Sequence, residues 1–340
     1  MAVLRTVLGD VPTTHVGHIQ PHEHVLSDIG ATTRQQGTAL AHHEPITLQN
    51  VYEIRRHHSP VDAKMTDVGE AIDELRLYRE AGGSAIVDAS SGGLGRNPAG
   101  LVQVSQATGV HVVMGSGYYV CDYHPPGLGE RSRDDIAREI ISDIDDGVGV
   151  TGIRAGLIGE IGLKWPVDPV EATVLDAAVD AQLATGAALM IHPGREAVAP
   201  LDAMQRVLAA GADPTRVVMS HIDRTLFTAD DMSRLADTGC YLEFDLFGQE
   251  SSYYPYAPID MPNDATRIDH LQRLADAGFG SRLLVSQDIC FQTHRQRYGG
   301  EGYAHLLRNV VPLMRRKGMS EDLITALTVT NPLTALGLDR

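Results

Sequence analysis

The sequence predicts a single (β/α)8 barrel of the TIM type, on the basis of three observations. Eight short apolar or β-branched runs recur along the 340 residues. Amphipathic segments with apolar residues near helical spacing separate them. Several of these segments end on glycine, as helices commonly do. Strands that alternate with helices in this way are typical of a barrel, and a doubly wound open sheet is the alternative.

The predicted strands are apolar runs of about four to eight residues, bounded by turn residues. In chain order, we expect them at 18–24, 85–90, 110–116, 156–161, 188–193, 217–223, 241–247 and 283–288. The clearest helices are expected at 67–82, 169–186 and 265–278, and a short terminal helix is expected at 331–337. We expect one domain over 1–340, with a short N-terminal β segment and a C-terminal helix. Loops 30–47 and 248–265 are long enough to cover a pocket.

Composition narrows the classes of partner. The formal charge of −16 disfavours nucleic acid and anionic membranes, which are bound by clustered Lys and Arg. No apolar run approaches the roughly 20 residues that span a bilayer, and we read no signal peptide. Cys121, Cys240 and Cys290 lack C-x-x-C spacing, which is typical of reduced thiols. We therefore expect a cytoplasmic protein that acts on a small-molecule substrate, and a homodimer is compatible with the sequence.

Six side chains that can bind metal ions stand at the ends of the predicted strands. They are His22 and His24 on the first strand, Glu160 on the fourth, His192 on the fifth, His221 on the sixth and Asp288 on the eighth. Side chains alternate along a strand, so the first two histidines project to the same side. The C-terminal ends of barrel strands meet at the face where active sites lie.

Each of these residues has an ordinary structural explanation, such as a hydrogen-bond partner or a helix cap. Together, four imidazoles and two carboxylates form a set of nitrogen and oxygen donors that suits Zn2+, or Mn2+ and related ions. Six ligands exceed the three or four of a single-metal site. The pattern therefore predicts two metals, which one carboxylate can bridge.

Several stretches make the sequence similar to the phosphotriesterase-related branch of the amidohydrolase superfamily, along almost its whole length. The ordered set is H-x-H at 22–24, I-G-E-I-G at 158–162, I-H-P-G-R at 191–195, S-H-I-D-R-T at 220–225 and the aspartate at 288. The stretches "GCYLEFDLFG", "PIDMP" and "RYGGEGYAHLLRNVVP" match as well. The H-x-H element alone is weakly specific, whereas the ordered set is strongly specific.

The resemblance implies a distorted (β/α)8 barrel with a binuclear metal centre at the C-terminal ends of the strands. It implies that the more buried metal is held by His22, His24 and Asp288, the more exposed one by His192 and His221, and that Glu160 bridges them. Many relatives use a carboxylated lysine as the bridge, so the glutamate departs from their pattern. Lys164 lies past the strand end, and we discount it as the bridge. The expected cofactors are two divalent cations, Zn2+ first and Mn2+ or another transition metal second.

The resemblance also implies a hydrolase. In the predicted mechanism, a hydroxide that bridges the metals attacks the scissile carbonyl. Asp288 accepts the proton of that hydroxide and transfers it to the leaving group. The branch implies N-acyl amide hydrolysis, with small N-acetylated amino acids or aminosulfonates such as N-acetyltaurine as substrates. Lactone or phosphotriester hydrolysis is the alternative, and a barrel that only binds a small ligand is the non-enzymatic alternative.

Four further residues are candidates for substrate binding. Arg195 and Arg224 each lie within three residues of a predicted ligand, and an ion pair at the rim is an equally good explanation for them. Of the two, we favour Arg224 as the receptor for an acid group of the substrate. Tyr119 and Tyr303 could line the pocket. Asp223 could orient a ligand imidazole.

Overall fold

The computed structural model describes residues 2–30, 44–57, 59–251, 254 and 256–339. The strands are β1 (Ala2–Thr6), β2 (Gly9–Pro12), β3 (His18–Glu23), β4 (Ser27–Asp28), β5 (Lys64–Met65), β6 (Gly83–Asp88), β7 (His111–Ser116), β8 (Leu157–Gly162), β9 (Leu189–His192), β10 (Val217–Met219), β11 (Tyr241–Phe244), β12 (Leu283–Val285) and β13 (Leu338–Asp339). The α-helices are α1 (Val51–His57), α2 (Val68–Glu80), α3 (Pro98–Thr108), α4 (Arg133–Asp145), α5 (Pro169–Thr185), α6 (Ala199–Ala209), α7 (Ile222–Thr225), α8 (Ala229–Ala236), α9 (Asp264–Leu274), α10 (Val311–Arg316), α11 (Glu321–Thr325) and α12 (Asn331–Leu336). Three π-helical segments lie at Ala275–Phe279, Leu306–Val310 and Ala326–Thr330.

Eight parallel strands form the barrel, in the order β3, β6, β7, β8, β9, β10, β11 and β12. Each strand pairs with the next one along the chain, whereas the order of a doubly wound sheet reverses at a switch point. The predicted barrel is therefore confirmed. Its first and last strands meet just beyond their ends, where His24 N donates to Ile289 O at 3.1 Å and Asp288 N donates to His22 O at 3.2 Å.

All eight predicted strands are present, but three of them end three or four residues earlier than predicted. Strand β10 ends at Met219, β11 at Phe244 and β12 at Val285. Beyond two of these ends the backbone turns left-handed, with a φ of 57° at His221 and 48° at Asp288. Such a φ cannot continue an extended ladder. The polar residues that we assigned to the strands therefore lie on turns that follow them.

Capping residues explain where the predicted helices begin and end. Asp67 accepts a hydrogen bond from Glu70 N at the start of α2, and Asp168 and Glu171 form a capping box at the start of α5. Helix α5 ends at Gly186, which has a φ of 70° that suits glycine. The expected terminal helix is present as α12.

The N-terminal end of the barrel is closed by the two ends of the chain. Strand β1 forms a hairpin with β2 and pairs antiparallel with β13. Leu4 of β1 and Leu336 of α12 share an apolar cluster with Ile19, Val113 and Leu284 of the barrel strands. Apolar side chains thus cover this end of the barrel.

The remaining expectations concern the cysteines, membrane-spanning helices and the two long loops. The three cysteines are free, as expected. Every helix among the described residues is too short or too polar to cross a bilayer. The two long loops fall partly at 31–43 and at 252, 253 and 255, so our expectation that they cover a pocket lies outside the described residues.

Candidate metal centre

The six predicted ligands converge at the C-terminal face of the barrel. His22 lies in β3 and His24 directly after it, Glu160 lies in β8, His192 ends β9, and His221 and Asp288 lie two and three residues beyond β10 and β12. Five of the six are buried, and the side chain of Asp288 is 14% exposed. The parallel strands thus bring together residues that are far apart in sequence.

The carboxylate of Glu160 lies at the centre of the four imidazoles. Its Oε2 lies 3.6 Å from His22 Nε2, 3.0 Å from His192 Nδ1 and 3.4 Å from His221 Nε2. Its Oε1 lies 3.5 Å from His24 Nε2. His22 and His24 therefore point to the same carboxylate, as the alternation of a strand predicts.

These donors fit a divalent cation of the zinc type. His22, His24 and Glu160 form one group of three whose ligand atoms lie within 4.8 Å of one another, and Glu160, His192 and His221 form a second. Asp288 Oδ1 lies 3.4 Å from His24 Nε2, beside the first group. Within the described residues, the buried His22 Nε2 has no hydrogen-bond partner. A buried nitrogen that faces carboxylates without a partner needs a cation or a proton.

Two buried carboxylates behind the histidines set the orientation of the rings. Asp245 accepts from His221 Nδ1 at 2.8 Å and from His221 N at 2.9 Å, and it also lies 3.2 Å from His22 Nδ1. Glu243 lies 2.9 Å from His22 Nδ1. A carboxylate can only accept, so Nδ1 of His22 and Nδ1 of His221 carry protons, and the Nε2 atoms of the two rings face Glu160.

Sequence reasoning missed Glu243 and Asp245, although both were visible in "YLEFDLF". They stand one residue apart in an apolar strand, which is the alternation that identified the two histidines of β3. The expectation for Asp223 was wrong. Its carboxylate accepts from Arg267 Nε at 2.7 Å and from Leu246 N at 3.2 Å, and Asp245 orients the imidazole of His221 instead.

Glu23, the residue between the first two histidines, holds the backbone on both sides of Asp288. Its Oε1 accepts from Gln287 N and Ser286 Oγ, and its Oε2 accepts from Ile289 N, all at 2.8 Å. A left-handed φ at a residue other than glycine costs roughly 1–3 kcal/mol. The hydrogen bonds that these backbone amides donate to Glu23 therefore stabilise the turn that directs Asp288 into the site.

Nearby carboxylates raise the pKa of His22 and His24, whereas burial and the charge of His221 hold the pKa of His192 well below its ordinary value. Burial alone would lower the pKa of His24, but hydrogen bonds with Asp288 and Glu160 raise that pKa to about 10. Burial would also lower the pKa of His22, but the charges of Asp245 and Glu243 raise that pKa well above the ordinary value. Protons on these rings therefore balance the buried negative charge when no cation does.

A cavity of about 680 Å³ opens onto this cluster. Tyr119, Arg195 and Arg224, three of the candidates for substrate binding, line it. Tyr119 Oη lies 3.2 Å from His192 Nε2, and Arg224 Nη2 lies at the same distance from that atom. Tyr119 and Arg224 therefore contact one of the four imidazoles directly.

Tyr303 and Lys164 lie away from this wall. Tyr303 is 1% exposed, and its hydroxyl donates to His24 O at 2.7 Å, so it supports the turn after β3. The expectation that Tyr303 lines the pocket was therefore wrong, because its side chain points into the protein. Lys164 forms an ion pair with Asp122, which agrees with discounting it as a bridge.

Comparisons with known proteins agree over nearly the whole chain. The family model described as "Phosphotriesterase family" matches residues 2–336. A phosphotriesterase-related protein of Nematostella vectensis is 36% identical over 98% of this chain and 97% of its own length. An N-acetyltaurine hydrolase of Homo sapiens is 36% identical over 97% of this chain and 96% of its own length. A solved structure of a resiniferatoxin-binding protein from Rhodobacter sphaeroides superimposes with a TM-score of 0.92 at 33% identity, covering 98% of this chain and 94% of that chain.

We predict that metal loading releases protons and becomes tighter as pH rises through neutrality. Imidazoles bind metal only when unprotonated, and the raised pKa of His24, about 10, keeps that ring protonated at pH 7 without a cation. Calorimetric titration with Zn2+ at pH 6.5 and 8, in two buffers of different ionisation enthalpy, measures both effects. An affinity independent of pH, with the same heat in both buffers, would contradict the prediction.

We predict that Glu23→Gln weakens metal binding about 10- to 100-fold, the usual effect of losing a group that orients a ligand. The amide nitrogen of Gln would face a backbone N–H, so one of the amides beside Asp288 would lose its acceptor. Metal affinity is measured by competition with a chelator.

Glu74→Gln is the matched control, because buried Glu74 accepts from Gln296 N at 3.0 Å and from Arg297 N at 2.8 Å. Both variants should unfold at lower temperature, and only Glu23→Gln should lose metal affinity. Equal metal affinity in the two variants would refute a specific role of Glu23.

Proposed function

This chain belongs to the phosphotriesterase family and is a metal-dependent hydrolase, and on that premise we propose that it cleaves the amide bond of small N-acylated amino acids or aminosulfonates. N-acetyltaurine represents the substrate class. The observation that carries the proposal is the pair of ligand groups that share Glu160, with Asp288 beside them at the cavity.

We infer that the centre holds two divalent cations. His22, His24 and Asp288 would bind one, His192 and His221 the other, and Glu160 both. Glu160 supports this arrangement because it belongs to both ligand groups. Imidazole and carboxylate donors favour Zn2+, and Mn2+ accepts the same donors.

Asp288 is suited to carry a proton during the reaction. Bound divalent cations supply Lewis acidity toward the scissile carbonyl and lower the pKa of water enough to provide a nucleophile at neutral pH. The Asp288 carboxylate lines the cavity, so it can accept the proton of the attacking water and donate it to the leaving nitrogen. An amine leaves poorly without that proton, so the role matters most for amides.

The N-acyl specificity is supported by the relatives that cover the whole chain. Several of them, including the human protein at 36% identity, are N-acetyltaurine hydrolases. With glutamate at 160, the bridging group is an anionic carboxylate that forms without the carbon dioxide needed to carboxylate a lysine. Lactone and phosphotriester hydrolysis remain the competing outcomes of a substrate test.

We predict that the metal-loaded protein hydrolyses N-acetyltaurine and N-acetyl amino acids faster than lactones or phosphotriesters. It should contain about two divalent metals per chain, and chelation should abolish turnover until Zn2+ is restored. Turnover by release of taurine and metal content by mass spectrometry are the measurements. Faster turnover of a lactone or phosphotriester would replace the proposed substrate class, and full activity with one metal would refute the two-metal centre.

We predict that Asp288→Asn reduces amide turnover by about 10²- to 10⁴-fold, the usual range for loss of a general acid or base. An acetate ester with a nitrophenolate leaving group should lose much less, because nitrophenolate leaves without a proton. Comparing kcat for the two substrates in the same metal-loaded preparation corrects for any loss of metal. An equal loss for both substrates would refute the proton-transfer role and leave the ligand role intact.

A further inference from the structure

Two arginines reach the cavity without a carboxylate partner. Arg224 is 2% exposed and donates from Nη1 to Thr225 Oγ1 at 3.1 Å, and its Nη2 lies 3.2 Å from His192 Nε2. The guanidinium of Arg195 lies 4.9 Å from the ring centroid of Tyr256. Among the described residues, no carboxylate oxygen lies within 4.0 Å of either guanidinium, so neither arginine has an ion-pair partner there.

Other buried arginines of the chain are paired with acids. Arg267 Nε lies 2.7 Å from Asp223, and Arg5 Nε lies 3.0 Å from Asp10. The chain contains 44 Asp and Glu against 28 Lys and Arg, so acidic partners are plentiful. A buried charge without a partner is strongly destabilising. A ligand that brings a negative charge into the cavity would give Arg224 the ion-pair partner that it lacks among the described residues.

The acceptors that the protein offers Arg224 are neutral. Its Nη2 lies 3.2 Å from His192 Nε2 and 3.5 Å from Pro193 O, and its Nη1 donates to Thr225 Oγ1 at 3.1 Å. A guanidinium can only donate, so these contacts satisfy part of its hydrogen-bonding capacity without supplying a negative charge.

We propose that Arg224 and Arg195 form a subsite for the acid group of the substrate, a carboxylate or sulfonate several bonds from the scissile carbonyl. The rest of the substrate is the N-acyl amide of the proposed function, on which this inference rests. Planar guanidinium groups present paired N–H donors that match the oxygens of such anions. Arg224 contacts His192 directly, so the acid group would lie on the His192 side of the centre.

The subsite gives the enzyme a preference that can be measured. An acid substrate gains the charge-assisted bonds, whereas its neutral carboxamide analogue does not. N-acetyl-β-alanine and N-acetyl-β-alaninamide differ in that group alone. The ratio of kcat/KM for the acid to that for the amide therefore reports the subsite, whatever a substitution does to the overall rate.

Turnover of this pair should be compared among wild type, Arg224→Met, Arg195→Met and Arg224→Lys, all loaded with Zn2+. Arg206→Met is the control, since Arg206 pairs with Asp202 on the exposed side of α6. We expect either methionine variant to lower the acid-to-amide ratio about 10- to 100-fold, with partial recovery in Arg224→Lys and no change in Arg206→Met. Equal losses for the acid and the amide would overturn the proposal.

A binding measurement separates this inference from the proposed function. Propane-1-sulfonate cannot be hydrolysed, and its affinity for the Zn2+-loaded proteins is measured by calorimetry. We expect Arg224→Met and Arg195→Met to weaken its binding about tenfold or more, and unchanged binding in both variants would overturn the subsite. If the wild type binds the sulfonate but hydrolyses neither N-acetyl-β-alanine nor N-acetyl-β-alaninamide, the proposed reaction is refuted while the subsite is supported.

Discussion

A carboxylate buried in a protein has to be neutralised, and the centre of this barrel is built around that requirement. Glu160 lies in a strand, out of contact with solvent, and four imidazole nitrogens lie 3.0–3.6 Å from its oxygens. Asp245 and Glu243 lie behind His22 and add further negative charge. No apolar packing could hold this many ionisable groups together without cations or protons. The charge of the cluster thus defines what the site can bind.

The barrel surrounds the buried carboxylate of Glu160 with residues from the ends of its strands. Parallel strands carry side chains from distant parts of the chain to one face, and apolar residues occupy the opposite end. His221 and Asp288 leave their strands in left-handed conformations that turn their side chains toward Glu160. Asp245 receives the backbone amide of His221, and Glu23 receives the amides beside Asp288. Buried acids therefore stabilise the same two strained turns that supply ligands.

Much of this arrangement could be predicted from the sequence, because its signals are local. Apolar runs identified all eight strands, and the ordered motifs identified the six residues that converge. The orienting acids were harder to recognise, since Glu243 and Asp245 acquire a meaning only when the barrel brings them to His221, after β10, and to His22 of β3. Glu23 depends on contacts with residues more than 260 positions away. Tyr303 was misassigned because an aromatic residue in a loop gives no sign of which way it points.

The junction between the first and last barrel strands has a consequence for biosynthesis. His22 and Glu23 leave the ribosome early, yet Ser286, Gln287 and Ile289, which they contact, follow 263–266 residues later. Contacts of such high sequence separation form late, after most of the chain has been ordered. A nascent or truncated chain therefore exposes unassembled histidines rather than a finished centre. A chain that retains metal has therefore been translated as far as the last strand, and its barrel has closed.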